Sequence, residues 1–349
     1  MVFQTPYTPQ RGHGEILASY LQAPAATPLL DINFGFARAR VLDTALELRL
    51  FTYVAQGICT CSALATMVDC DDQNLQRLLD ALVGLELLQC KHAAYSLSSL
   101  AMTYLVEGQP GYIGSHLEAV IEQWDTWSEL TQAVRSGHKR LRQDWGSPQG
   151  RGHNPGMFAH VFPLTFPIAW QAANQFDQSL QGRVLDMFAG SGALSIAMAL
   201  RHPQVEVVAR DEPTLLETVL ERVQQFGLEE RFTLKTAEAD ERSFESESFS
   251  LIIVSHACRF LGARKSQELL RDCYRLLQPG GKLLLVDVMS NNERTGPPTA
   301  LAIQLSLFLN TQEGDIFTVT QFHTWLKAAG FEYVKDQRIE HMPLLLASR

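Results

Sequence analysis

Basic residues are the first shortage of this sequence. Its 349 residues carry 29 Lys and Arg against 38 Asp and Glu, for a formal charge of −9 and a pI near 5.6. Nucleic-acid binding leans on clustered cations that neutralise phosphates, so this balance argues against a nucleic-acid partner and leaves a small molecule as the expected one. Long apolar runs are also missing. No stretch approaches the roughly 20 residues that span a bilayer, and "MVFQTPYTPQRG" at the start has no apolar secretion core. No membrane partner and a cytoplasmic location are therefore expected. The six cysteines, at 59, 61, 70, 90, 258 and 273, include no pair with the Cys-x2-Cys spacing of zinc ligands. Their neighbours are apolar, so buried free thiols and no metal are expected.

What the chain does have is apolar content, 46% of residues, enough for two ordinary domains with real cores. Its texture divides into a helical unit over 1–110, a connecting helical segment over 111–180 and an alternating unit over 181–349. Residues 35–107 read as three helices and a short hairpin: "FARARVLDTALELRLF", "CSALATMV", "DQNLQRLLDALVGLELL" and "LQCKHAAYSLSS". That order is a winged helix-turn-helix. Asp71 stands where an N-cap belongs, and Leu75, Leu78, Leu79, Leu82, Leu85 and Leu88 recur along one helical face. A DNA reader would put basic and amide side chains on the third helix, which here begins "DCDDQ" and has Arg77 as its one cation. Self-association through an apolar packing module is the expected role.

From Arg183 onward strands and helices alternate: "RVLDM", a helix over 192–201, "VEVVAR", "TLLETVLERVQQF", "RFTLKTA", "SLIIVSH", "KSQELLRDCYRLL" and "GKLLLVDVM", with a last helix and strand pair to the end. This pattern predicts a mostly parallel sheet with helices on both faces, in which ligands sit at the carboxyl ends of the strands. The loop after the first strand is "DMFAGSG". Gly190 and Gly192 let backbone approach a ligand closely, and Asp211, in "VVARDEP" at the end of the next strand, is placed to accept both hydroxyls of a ribose. A dinucleotide fingerprint needs a third glycine where Ser195 stands. Phe188 and Ala189 before the turn suit a cofactor without phosphates. The spacing Asp186-x-x-x-Gly190-x-Gly192 is that of S-adenosylmethionine sites.

With these residues the chain resembles the small-molecule O-methyltransferases that join an N-terminal winged-helix dimerisation domain to a class I methyltransferase domain. "VLDMFAGSG", "ARDEP", "AEAD" and above all "DCYRLLQPGGKLLLVD" carry the resemblance. It implies an α/β fold, Rossmann-like with a seven-stranded mostly parallel sheet, and an intertwined homodimer. It also implies S-adenosylmethionine lying against Gly190 and Gly192, with Asp211 on the ribose, Asp240 near the adenine amine, Ser255 near the methionyl end and Asp186 supporting the turn. Relatives that methylate phenols carry a general-base His in His-Asp-Trp after the fourth strand. Counting back from Asp287, which matches one of the two acids that orient that His, lands on Arg259 in "SHACRFLGARKSQ". The other acid position falls near Ile316.

A guanidinium stays protonated and cannot be that base. Three expectations follow from its presence. Arg259 holds an anionic group of an acceptor that needs no strong base; or a displaced His, with His256 nearest and His153 and His160 behind it, supplies the base; or the domain binds its cofactor for non-methylating chemistry. Phe162, Phe166 and Trp170 are the candidates to stack on an aromatic acceptor, and Gln304 to contact it. A nucleic-acid base methyltransferase is disfavoured, because "VSHACRF" stands where its D/N-P-P-Y/F tetrapeptide would hold the base. The reading is an S-adenosylmethionine-dependent methyltransferase that modifies oxygen or carbon of a small hydrophobic, aromatic or conjugated metabolite. The alternative outside enzymology is a winged-helix regulator or scaffold.

Overall fold

The computed structural model describes residues 20–137, 158, 160–236, 244–340 and 342–349. In the N-terminal part α1 (Thr27–Asn33) and α2 (Gly35–Glu47) lead into α3 (Leu50–Ala55), α4 (Cys61–Val68) and α5 (Asp72–Gly84), then the hairpin β1 (Leu88–Lys91) and β2 (Ala94–Leu97), and α6 (Ser99–Tyr104). The expected order is present, with one division more. The first expected helix breaks at Arg49, whose φ is 53° and whose Nε donates to both Glu107 oxygens at 3.0 and 2.9 Å. The break re-aims Leu50, Phe51 and Val54 into the core. Asp71 caps α5 by accepting from the Asn74 N–H at 2.9 Å, and Leu75, Leu79 and Leu82 are buried along one side of it. The thiols depart from expectation: Cys258 and Cys273 are buried, but Cys90 is exposed on β1, whose outer residues face water.

The connecting segment holds α7 (Gly114–Ile121), α8 (Trp124–Ser128), α9 (Leu130–Ser136) and α10 (Phe162–Ala173). Next come β3 (Gly182–Asp186), α11 (Ala193–Arg201), β4 (Val205–Asp211), α12 (Pro213–Gln225), β5 (Phe232–Thr236), β6 (Phe249–Ser255), α13 (Cys258–Leu276) and β7 (Leu277–Val286). The chain closes with β8 (Met289–Ser290), α14 (Pro298–Asn310), β9 (Phe317–Thr318), α15 (Val319–Ala329), β10 (Tyr333–Ile339) and β11 (Met342–Ser348). Seven strands make one sheet in the order β10-β11-β7-β6-β3-β4-β5. The five from β7 to β5 are parallel, and β11 runs antiparallel between β7 and β10. β3, β4 and β6 are apolar on both faces, as strands covered by helices on both sides must be. α10, α11 and α12 pack on one face, and α13 and α15 on the other. α13 starts seven residues before the expected "KSQELL", but Gly262 breaks it with φ 75° and ψ 171°. No helix among the described residues is long and apolar enough to cross a membrane.

Candidate active site

β3 ends on Asp186, and the chain turns there through Gly190 and Gly192, both at positive φ (55° and 78°), before α11 begins. A side chain at Gly190 would meet nothing within 4 Å, so the backbone there faces open space. The turn is clasped from the neighbouring strand. Asp211, buried at the end of β4, accepts from the Gly190 N–H through Oδ2 and from the Glu212 N–H through Oδ1, both at 2.8 Å. On the other side the Ser191 and Thr165 hydroxyls lie 3.4 Å apart, joining the turn to α10.

These elements wall a cleft at the carboxyl ends of the strands. Asp186, Phe188, Ala189, Gly190 and Ser191 supply one wall, Ser255, His256 and Val286 the strand ends, and Met342 and Leu344 the far side. Thr165, Ile168 and Ala169 of α10, with Phe158 and Val161 before it, roof the cleft. No Lys or Arg is among the described lining residues, and Asp186 is the acid. Such a site does not suit pyrophosphate but does suit a nucleoside carrying positive charge on its amino-acid arm, which is what S-adenosylmethionine is. Ala193 and Leu194 in the lining show that the first turn of α11 also faces the cleft, where its free N–H groups and dipole favour a carboxylate.

The expected residues distribute unevenly. Asp186, Gly190, Ser255 and His256 line the cleft, and Gly192 starts the helix behind it. Asp211 is not a lining residue in this geometry; it holds the turn from behind. Asp240 and His153 lie outside the described residues, and His160 is exposed.

Phe162, Phe166 and Trp170 do not face the cleft. Phe162 and Phe166 stack at 4.9 Å, Phe166 stacks on Phe226 at 5.7 Å, and Trp170 lies against Phe166 at 6.3 Å. They recur every four residues on the side of α10 turned to α12, and Arg222 lies 5.2 Å over the Phe162 ring. The cleft side of the helix is the one one residue out of phase. Thr165, a hydroxyl in an otherwise apolar helical run, was the sequence signal for it. Phe166→Leu should therefore lower Tm by a few degrees, for a loss of about 1–2 kcal/mol of packing, while calorimetric affinity for S-adenosylhomocysteine stays unchanged. Gln304 is likewise turned away, its Nε2 donating to Asp315 Oδ1 at 2.6 Å.

Arg259 and Asp287 form a pair behind the cleft. Asp287 Oδ2 accepts from the Arg259 backbone N–H at 3.2 Å, and Oδ1 accepts from Val288 N–H at 2.8 Å and faces Arg259 Nη1 at 3.4 Å. Arg259 Nη1 in turn donates to His256 Nδ1 at 2.9 Å. Arg259 Nη1 is thus turned to His256 and Asp287 of its own chain, and neither Arg259 nor Asp287 is in the lining. Burial and then the Arg259 charge push the His256 imidazole below its ordinary range, with Asp287 pulling weakly the other way.

Comparison with known proteins extends the picture. A family model described as the O-methyltransferase dimerisation domain matches residues 30–107, and one described as the O-methyltransferase domain matches 127–332. The tetracenomycin polyketide synthesis 8-O-methyl transferase of Streptomyces glaucescens is 25% identical over 350 residues, covering 99% of both chains. The 3-hydroxy-5-methyl-1-naphthoate 3-O-methyltransferase of Streptomyces sahachiroi is 25% identical over 89% of this chain and 91% of its own. The human N-acetylserotonin methyltransferase, solved with S-adenosylmethionine, shares the fold with a TM-score of 0.80 at 24% identity, over 94% of this chain and 99% of that one. Sheet, cleft and these matches together define an S-adenosylmethionine-dependent methyltransferase. More narrowly, the chain belongs to the O-methyltransferase family that carries its own dimerisation domain.

Proposed function

We propose that the protein transfers the methyl of S-adenosylmethionine to an oxygen of a small, fused or extended aromatic metabolite. The observation that carries this is the cleft itself: apolar on nearly every wall, with its few polar groups gathered at the glycine turn and at Ser255 and His256. Two relatives named for naphthoate and polyketide hydroxyls support the aromatic class. Asp186, Gly190, Ser191 and Ser255 hold the cofactor, with Asp211 fixing the turn through the Gly190 and Glu212 N–H groups. Gly192 opens the helix whose N-terminus meets the methionyl carboxylate. The cofactor supplies an electrophilic methyl group. The protein's part is to desolvate and align the acceptor against it, which is where most of the rate in such a reaction arises.

The site works within a homodimer in this reading. α1 has no buried residue although it carries Leu29, Leu30 and Ile32, and Phe34 and Phe36 beside it and Trp124 and Trp127 beyond are exposed as well. An apolar surface of that extent on one chain is a partner surface. Ile32→Glu together with Phe34→Glu is expected to convert the dimer to a monomer by light scattering, without loss of the far-UV helical signal. For the reaction, the test is transfer of labelled methyl to a panel of hydroxynaphthoates, hydroxyquinones and arylamines. Labelled ethers are expected; label on nitrogen or carbon alone would displace oxygen as the acceptor, and no product with retained cofactor binding would favour non-methylating chemistry.

A further inference from the structure

Among the described residues that line the cleft, only Asp186 and His256 titrate. Asp186 lies where the glycine turn begins, at the carboxyl end of β3. Among these described residues His256 is thus the one group toward α13 able to exchange a proton with an acceptor. Its backbone is left-handed, φ 53°, a conformation that a non-glycine residue holds only when its surroundings impose it, and its N–H donates to Val286 O at 2.7 Å. This geometry aims Nδ1 at Arg259 Nη1, 2.9 Å away. A guanidinium has donors and no acceptor, so Nδ1 is the acceptor and carries no proton. Asp287 Oδ1 stands 3.8 Å from Nδ1, too far to take a proton from it, and is already bound to Val288 N–H. Burial and the adjacent guanidinium both push the ring toward its neutral form. A neutral imidazole without a proton on Nδ1 has it on Nε2, the opposite edge.

We propose that Arg259 locks His256 as the Nε2–H tautomer, so that the cleft receives a hydrogen-bond donor in place of a base and selects acceptors whose oxygen is already ionised when they bind. The acceptor class this defines is the acidic phenol or enol, a hydroxyl conjugated to a carbonyl, which gives its proton to solvent before entering. This rests on the reading that oxygen is methylated. His256 touches the acceptor anion through a charge-assisted hydrogen bond, and Arg259, outside the lining, is a positioning residue acting through it. The charged groups facing the ring are Arg259 and Asp287, and no other charged side chain contributes to its ionisation among the described residues.

The tautomer is read without any substrate. In full-length protein with nitrogen-15 histidine, long-range proton–nitrogen spectra should show His256, identified by its loss in His256→Gln, with bare Nδ1 and protonated Nε2 between about pH 6 and 8. In Arg259→Met the two nitrogens should average toward a tautomer mixture and the ring should titrate at higher pH. A protonated Nδ1, or an imidazolium at neutral pH, in the wild type overturns the lock. Acceptor choice is then read by calorimetry on the S-adenosylhomocysteine complex with hydroxynaphthoquinone, ionised at neutral pH, and naphthol, which is not. The quinone should bind at least tenfold tighter, lose about tenfold in His256→Phe and recover in His256→Gln, whose amide still donates. Equal binding of naphthol, or proton uptake by the protein on binding, overturns the donor role. If neither ring binds while the tautomer holds, the acidic aromatic class falls and the cofactor reading stands.

Discussion

Gly262→Ala should cost the protein about 3 kcal/mol or more, read as a lowered denaturation midpoint at unchanged slope. The residue breaks α13 at φ 75° and ψ 171°, a region essentially reserved for glycine, and an added Cβ would stand 2.8 Å from the Glu313 carbonyl oxygen. Backbone strain and a clash against backbone therefore add. The damage should be directional as well, because the displaced segment is the one that meets the first turn of α13: Asp315 N–H donates to Arg259 O at 2.9 Å. Losing that contact frees the Arg259 end of the helix, so the His256 ring signals should move even in the fraction that remains folded. A variant with wild-type stability would mean that the 311–315 loop gives way freely.

Asp211→Ala is the second large effect. Calorimetric affinity for S-adenosylhomocysteine should fall between about tenfold and a hundredfold, since a hydrogen bond to a charged group contributes roughly 1.5–3 kcal/mol. The substitution strips the acceptor from the Gly190 and Glu212 N–H groups together, so the turn loosens before any ligand arrives. Stability should drop by about 1–3 kcal/mol for donors left without it. Full retention of affinity would show that the glycine conformations alone hold the turn open and that the carboxylate is not needed by the cofactor.

The α/β half was the legible part. A parallel strand buried on both faces leaves an apolar run that ends in a polar residue at the ligand edge, and Asp186, Asp211 and Ser255 each end such a run. Glycines forced to positive φ are legible for a similar reason, because no other residue type does the same work cheaply. What could not be read was direction. Phe162, Phe166 and Trp170 stood out as aromatics, but whether they face cleft or core depends on a helical phase set by α12, a partner remote in sequence. Whether Arg259 holds an acceptor anion or a displaced His acts there was open in the sequence, because the contacts of Arg259 with His256 and Asp287 exist only in three dimensions. Met342 and Leu344 carried no signal at all: they reach the cleft because β11 inserts antiparallel beside β7, pairing Leu344 with Val286.

The divided helix α10 bears on how this protein can change over time. Its aromatic side is committed to the domain, since Phe162, Phe166 and Phe226 stack as one unit and a substitution there is paid in stability. Its other side presents Thr165 and Ile168 to the cleft, with Val161 just before the helix, where a change of size or polarity alters what fits without touching that stack; Ala169, also at the cleft, is buried in the core. Descendants of this chain can thus drift toward new acceptors chiefly through Val161, Thr165 and Ile168, which the aromatic stack does not use. A library confined to those three codons samples substrate range while leaving the aromatic stack in place.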